Sequence, residues 1–270
     1  PGRIDFGVGT GFTARRTMGL SAIPLARTKV YIERVQQLLA GETVEWDFES
    51  QPKKIKFLNP DLGLINLEDE IPLWVSAFGP KAMQLAAELD AGWLNFGING
   101  ADKALESMQQ AWQEAGRAPS ELKSNLFFLG AVLNGDEAED DAKLMAQGGP
   151  LTAVMFHNLA DEVGAMGGRN LPTGPLSNLL GDYLSAHDQY APEDAKYLTN
   201  HRGHLMFVRP EETHISPELV RSTTLSGTES ELIASLSALK AAGYTEVTIQ
   251  LVHDHEAALE DWAKVFAQLE

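Results

Sequence analysis

Between positions 71 and 97 the chain reads IPLWVSAFGPKAMQLAAELDAGWLNFG, an apolar run, a Gly-Pro step, apolar positions at helical spacing (Met83, Ala86, Ala87, Leu89) and a second apolar run. Pro72–Ala77 lacks the polar alternation of a half-exposed strand, which is the pattern of a parallel strand covered on both faces. Gly79-Pro80 makes the turn and places proline at the first helical position, where its missing N–H costs nothing. The segment therefore predicts one β/α/β unit. Free amides at such a helix start, with Lys81 beside them, suit an anion at the carboxyl edge of a sheet; a plain connection without a ligand is the competing reading.

The same alternation continues in both directions. Ile4–Gly9 reads as a strand, and the helix from Pro24 to Ala40 carries Leu25, Ile32, Val35, Leu38 and Leu39 on one face and stops at Gly41. Thr43–Phe48 and Lys54–Leu58, about a turn at Gln51-Pro52, predict a small antiparallel hairpin beside the main sheet. Asp102 caps a helix to Ala115 with Leu105, Met108 and Trp112 inward, and Asn125–Leu133 reads as one buried strand. From Asp136 to Tyr190 the composition is helical, broken at Gly148-Gly149-Pro150 and between Gly164 and Pro175, where a mobile excursion over a pocket is expected. Thr228-Glu229-Ser230-Glu231 is a capping box that opens a helix burying Leu232, Leu236 and Leu239 up to Gly243. A strand Glu246–Val252 and a helix carrying Ala258, Leu259, Trp262, Val265, Phe266 and Leu269 close the chain. Alternating strands and helices predict an α/β fold, a single domain over residues 1–270 with about five parallel strands, three short of the eight that close a barrel.

Composition narrows the function classes. Twenty-one basic against 38 acidic residues give a formal charge of −17, which disfavours nucleic acid and anionic membrane surfaces as partners. The absence of cysteine removes disulfides, thiolate metal sites and cysteine nucleophiles, and it suits a reducing cytoplasm. No apolar run reaches a membrane span, and PGRIDFGVG lacks the plan of a signal peptide. A start at Pro1, entering a strand by about Ile4, suggests that something precedes it.

Candidate chemistry is sparse. Gly7, Gly9 and Gly11 are not spaced as a dinucleotide fingerprint, yet they permit backbone to approach a ligand at a strand end. Arg15 and Arg16 follow, either meeting a phosphate or forming a solvated basic turn. Seven histidines raise a metal reading, but His253/His255 and His201/His204 each lack the third ligand a zinc site needs, so no metal is expected. His157 and His204 sit among apolar residues, as structural histidines or as proton donors facing a pocket. Asp140-Asp141 and Glu211-Glu212 read as solvated faces, and hydrolase or kinase motifs are absent.

Taken together, GRIDFGVGTGF, the helix ending LLAG, the hairpin, IPLWVSAFGPKAMQLAAELDAGWLNFG and TLSGTESELIASLSALKAAGYTEVTIQL resemble the bacterial-luciferase-like superfamily of flavin- and deazaflavin-dependent oxidoreductases, nearest its methylene-tetrahydromethanopterin-reductase-like branch. The resemblance runs from Gly2 to the C-terminus. It implies a TIM-type (β/α)8 barrel with the cofactor, FMN or an 8-hydroxy-5-deazaflavin of the coenzyme F420 type, at the carboxyl ends of the strands. The first matched strand corresponds to about the fourth of the family barrel, so three β/α units, on the order of 100 residues, are missing. They would supply one wall of the cofactor site, part of the substrate pocket and, in many relatives, the dimer interface, so either another polypeptide provides them, or this chain is a fragment, or the sequence is incomplete; the partner expected is a homo-oligomer or a second chain that supplies the missing units.

By the same resemblance, Ser76, Ala77 and the loop Phe78-Gly79-Pro80-Lys81-Ala82 bind the cofactor phosphate. Gly9, Thr10 and Gly11 approach it. Thr10 stands where luciferases proper have a basic residue, so Arg15 or Arg27 substitutes for that charge, and Asn95 with Phe96 points toward the ring system or the substrate. His204 and His157 are the candidate catalytic groups. The expected function is a monooxygenase or deazaflavin-dependent reductase of a small organic substrate, the alternatives being a non-catalytic flavin-binding protein or one part of a two-chain flavoenzyme.

Overall fold

Nearly every periodic stretch becomes an element in the computed structural model, which describes residues 3–166 and 175–269. In chain order these are β1 (Phe6–Val8), α1 (Phe12–Arg16), α2 (Leu25–Leu39), β2 (Val44–Phe48), β3 (Gln51–Ile55), β4 (Leu73–Ser76), α3 (Pro80–Glu88), β5 (Gly92–Phe96), α4 (Ala101–Glu114) and β6 (Ser124–Phe128). There follow β7 (Val132–Leu133), α5 (Glu137–Gln147), α6 (Gly149–Met166), α7 (Pro175–His187), α8 (Tyr197–Asn200), α9 (Pro217–Thr223), β8 (Gly227–Thr228), α10 (Glu229–Ala242), β9 (Glu246–Ile249) and α11 (His255–Phe266). The fold is α/β, and the five longer parallel strands, β1, β4, β5, β6 and β9, match the expected number. Eight strands closed into a barrel are not present among the described residues. No described helix is long and apolar enough to cross a membrane. The glycine-rich excursion expected between Gly164 and Pro175 falls largely on residues 167–174, outside the described residues.

The chain divides into two compact units, each assembled from separate stretches. The first takes the chain up to Thr13, then Ser21–Leu94 and Glu106–Ser124. Here β4 lies between β1 and β5, all parallel, with Phe6 opposite Leu73 and Ser76 opposite Leu94. Trp74 lies over Gly92 so closely that a Cβ there would come within 2.5 Å of the indole, and buried Trp93 donates from Nε1 to the Ala77 carbonyl at 2.8 Å. The hairpin forms, but it reverses at Glu49-Ser50, with φ of 51° and 64°, as two-residue hairpin turns require. Pro52 is thus inside β3 opposite Asp47 rather than in the turn.

The second unit takes Ala14–Leu20, Asn95–Leu105 and the chain from Asn125 onward. Its strands β6 and β9 run parallel, Asn125 opposite Glu246 and Phe128 opposite Ile249. The single strand expected over Asn125–Leu133 is instead two, because the backbone of Leu225 crosses at Gly130, leaving no room for a side chain. Val132 and Leu133 then pair with Gly227 and Thr228. At Thr228 the capping box forms as expected, the Glu231 carboxylate accepting from both the amide and the hydroxyl of Thr228 at 2.8 and 2.9 Å. Asp140 departs from the solvated face expected of it: it is buried, and its carboxylate accepts from the amides of Asn134 and Gly135, both at 2.8 Å, which ties down the turn before α5.

Candidate functional site

In the first unit the parallel pairing of β1 with β4 sets their carboxyl ends side by side, so that Gly9-Thr10-Gly11 leaves next to Ser76-Ala77. A Cβ on Gly9 would stand 3.5 Å from the Ser76 Cβ, and Gly11 adopts φ 72°, which favours glycine. The Ile23 amide donates to the Thr10 carbonyl at 2.9 Å, anchoring the lead into α2, whose second residue turn carries exposed Arg27. Gly79 caps α3 with φ −114° and ψ 160°, and no side chain accepts from that helix end. The Ala82 and Met83 amides both donate to the Gly79 carbonyl. That leaves the Gly79 and Lys81 amides of this turn for an incoming anion, with the Lys81 side chain exposed and Phe78, 57% exposed, presenting an apolar ring beside them. A Cβ built on Gly79 meets nothing within 4 Å. A cleft of this unit, about 380 Å³ and lined by Pro72, Trp74, Gly92 and Lys123, opens at the other, amino ends of β4 and β5, a face that in β/α barrels serves stability.

Arg15, Asn95, His157 and His204 lie in the second unit. The Arg15 carbonyl accepts from the Met18 and Leu20 amides, and Arg16 pairs with Asp161 at 3.3 Å. Asn95 is buried, donating to the Tyr244 hydroxyl at 2.8 Å; that hydroxyl donates in turn to the Ala101 carbonyl at 2.9 Å. Its amide group is thereby committed to the protein interior. Burial first of all pushes the Tyr244 phenol up to about 12, so it stays a neutral donor.

The densest polar chemistry of the second unit surrounds His157 on α6. Its Nε2 lies 2.6 Å from Glu212 Oε1, and Arg209 Nη2 lies 2.7 Å from the same oxygen. Arg209, with a fully buried side chain, also donates to the Tyr190 and Tyr183 hydroxyls at 2.8 and 3.2 Å and to the carbonyls of Thr199 and Asn200. Tyr183 donates to Asn200 Oδ1 at 2.5 Å, and His201 Nε2 lies 2.9 Å from Asp161 Oδ2. Glu212, expected on a solvated face, is 2% exposed. Burial works to raise its carboxyl, but the His157 hydrogen bond and the charge of Arg209 outweigh it and hold Glu212 below the ordinary range. His157 has 1% exposure and its Nε2 is engaged by Glu212; His204 is half-buried. Sequence reasoning missed Arg209, Glu212, Tyr183 and Asp161. The available signal was a histidine inside the apolar helix VMFHNL, which demands a polar partner somewhere in the fold.

Burial holds the imidazoles of His157, His187, His204 and His214 below the ordinary value, His204 down to about 4. Each takes a proton more readily in the unfolded chain, near its unperturbed pKa of about 6.5, than in the folded one. Their contribution to stability is therefore complete above about pH 6.5 and falls as the pH drops through the folded values. Glu212 adds to this at lower pH, since its depressed carboxyl loses its contribution as pH falls through its folded value. Urea midpoints in EDTA buffer are expected to fall steadily from about pH 7 to about pH 5. A flat profile would show imidazoles already charged in the folded protein.

The family model for luciferase-like monooxygenases matches residues 1–246. Among curated proteins, the chain is 26% identical over 260 residues to 5,10-methylenetetrahydromethanopterin reductase of Archaeoglobus fulgidus, covering 91% of this chain and 67% of that protein. It thus spans about two thirds of that relative's length. Among solved structures, the coenzyme F420 dependent tetrahydromethanopterin reductase of Methanopyrus kandleri aligns with 100% of this chain and 75% of its own, at TM-score 0.62 and 16% identity. The oxygenating constituent of 3,6-diketocamphane monooxygenase of Pseudomonas putida, in complex with FMN, aligns with 99% of this chain and 70% of its own, at TM-score 0.53 and 14% identity. Identities this low speak for the fold.

Proposed function

Because the chain belongs to the luciferase-like monooxygenase family, we propose that it is an oxidoreductase that works with FMN or coenzyme F420 on a small organic substrate, the cofactor phosphate resting on the amino end of α3. The observation that carries this reading is the open first turn of α3. No side chain caps it, a Cβ at Gly79 would meet nothing, and the turn leaves the carboxyl end of β4 beside that of β1. An anion there would accept from the Gly79 and Lys81 amides, favoured by the helix dipole and by the exposed Lys81 ammonium. Gly9 leaves room beside Ser76 for backbone to approach a bound group, Phe78 offers an apolar surface that sheds water around it, and Arg27 adds a cation on α2. The residues therefore fit a phosphate-bearing cofactor. When bound, a reduced flavin or deazaflavin supplies hydride or, for flavin, oxygen activation, while the protein orients it and keeps water out. The curated relative's activity as a reductase favours hydride transfer.

Gly79→Asp tests the loop. The substituted Cβ has open space and φ is ordinary, so the fold should persist, whereas a carboxylate at the helix start repels the phosphate. Titration with reduced and oxidised FMN and with coenzyme F420 should show affinity at least about tenfold weaker than wild type, about 1.4 kcal/mol. Gly79→Asn, equal in size and uncharged, controls for bulk. Equal affinities of the Asp and Asn variants would refute the assignment.

A further inference from the structure

We infer that His157, His201 and His204 form a three-imidazole site for a divalent transition metal, zinc first among them. The inference is independent of the cofactor reading above. One ring nitrogen from each of the three lies within 4.8 Å of one from each of the others. His157 comes from α6, His201 from the end of α8 and His204 from the following turn, so residues more than 40 positions apart converge. Zinc held by imidazole at about 2.0–2.1 Å requires nitrogens somewhat closer than this. His204, half-buried and on an irregular turn, is the member that can close the gap.

Hydrogen bonding decides which nitrogens remain for the ion. Glu212 accepts from the Arg209 amide and from Arg209 Nη2, both at 2.7 Å, as a carboxylate paired with a guanidinium, so at 2.6 Å the His157 Nε2 carries the proton and donates it. His201 Nε2 likewise donates to Asp161 Oδ2 at 2.9 Å. In both rings the lone pair is therefore on Nδ1. These two Nδ1 atoms are buried, in side chains 1% exposed, with no hydrogen-bond partner among the described residues. A buried acceptor without a donor is rare and calls for an explanation. Carboxylate, imidazole and an open ring nitrogen in series is the arrangement by which proteins orient metal-binding histidines.

The surrounding charges permit a cation. Asp161 and Glu212 face the rings; Arg16 sits 3.3 Å from Asp161, and Arg209 lies 2.7 Å from Glu212 and 3.3 Å from Glu211. Three carboxylates against two guanidinium groups leave a net negative charge before an ion enters. A donor set made only of imidazole selects zinc, copper, nickel or iron over magnesium and calcium. Three protein ligands leave a fourth position for water, open on the side of half-exposed His204.

Protein stripped with EDTA and dialysed should take up one equivalent of Zn2+ by calorimetry and metal analysis, and Co2+ should give the visible ligand-field bands of a four-coordinate ion. Imidazole nitrogen NMR of the wild type should show His157 and His201 bound through Nδ1, a readout that needs no variant. His204→Ala should weaken Zn2+ by more than the about 10–100-fold seen when an outer-shell partner is lost, with unchanged circular dichroism. Changing the exposed His253 and His255 together to alanine should leave affinity as in the wild type. Failure of the wild type to bind Zn2+, binding that survives His204→Ala, or binding that vanishes with His253 and His255 would each overturn the site.

Discussion

Arg209→Met is expected to lose about 3–5 kcal/mol of folding stability, because it removes one partner of a fully buried ion pair and leaves the other charged. The Arg209 side chain has 0% exposure and Glu212 has 1%. Its guanidinium lies 5.0 Å over the Tyr190 ring while donating to that hydroxyl, to Tyr183 and to the Thr199 and Asn200 carbonyls. Methionine fills much of the volume but donates nothing, so two hydroxyls and two carbonyls lose a donor in addition to the stranded Glu212 carboxylate. The double variant Arg209→Met/Glu212→Leu removes the stranded charge and should recover a substantial part of the loss, although His157 Nε2 then lacks its acceptor. Urea unfolding of the wild type, both single variants and the double variant gives the coupling directly. A loss below about 1 kcal/mol for Arg209→Met would mean that water reaches Glu212 and that the pair behaves as a surface one.

Gly130→Ala is expected to cost about 3 kcal/mol or more, at the upper end of what overpacking does. The added Cβ would sit 1.8 Å from the Leu225 carbonyl oxygen and 2.6 Å from its carbon. Both atoms are backbone, so no rotamer change relieves the clash. The two chain segments are also laced together on either side of the contact, Leu225 N–H to the Leu129 carbonyl at 3.4 Å and Gly227 N–H to the Ala131 carbonyl at 3.1 Å. Separating them therefore loosens the β7 and β8 ladder as well. Gly79→Ala, whose Cβ meets nothing, is the matched control and should lie within about 0.5 kcal/mol of wild type. A Gly130→Ala protein as stable as that control would show that the two backbones are not held this close in solution.

Much of the fold was legible because its signals are local. The spacing of Met83, Ala86 and Ala87, the Pro80 start, the Thr228 and Glu231 box and the glycine at 243 each act within a few residues, and all appear as read. The family likeness followed from the same segments taken in order. The uncapped first turn at Gly79 was legible for the same reason, since a helix start without a capping side chain is written in four consecutive residues.

What the chain alone did not reveal are effects whose cause lies far along it. An unbroken apolar run over Asn125–Leu133 promises one strand, and it breaks at Gly130 only because Leu225 arrives there. The pair Glu211-Glu212 has the composition of a surface, yet Glu212 is enclosed because His157 is 55 positions away in sequence and 2.6 Å away in space. His201 and His204 look like an incomplete ligand pair until α6 brings in His157. Amino-acid sequence by itself determined most of the secondary elements, the α/β class and the Gly79-Pro80 helix start without a capping side chain, since propensity, periodicity and capping are short-range. Tertiary structure decided which polar groups are buried and which imidazoles meet, because burial and convergence depend on where distant segments pack, and a charge's environment is set by its neighbours in space.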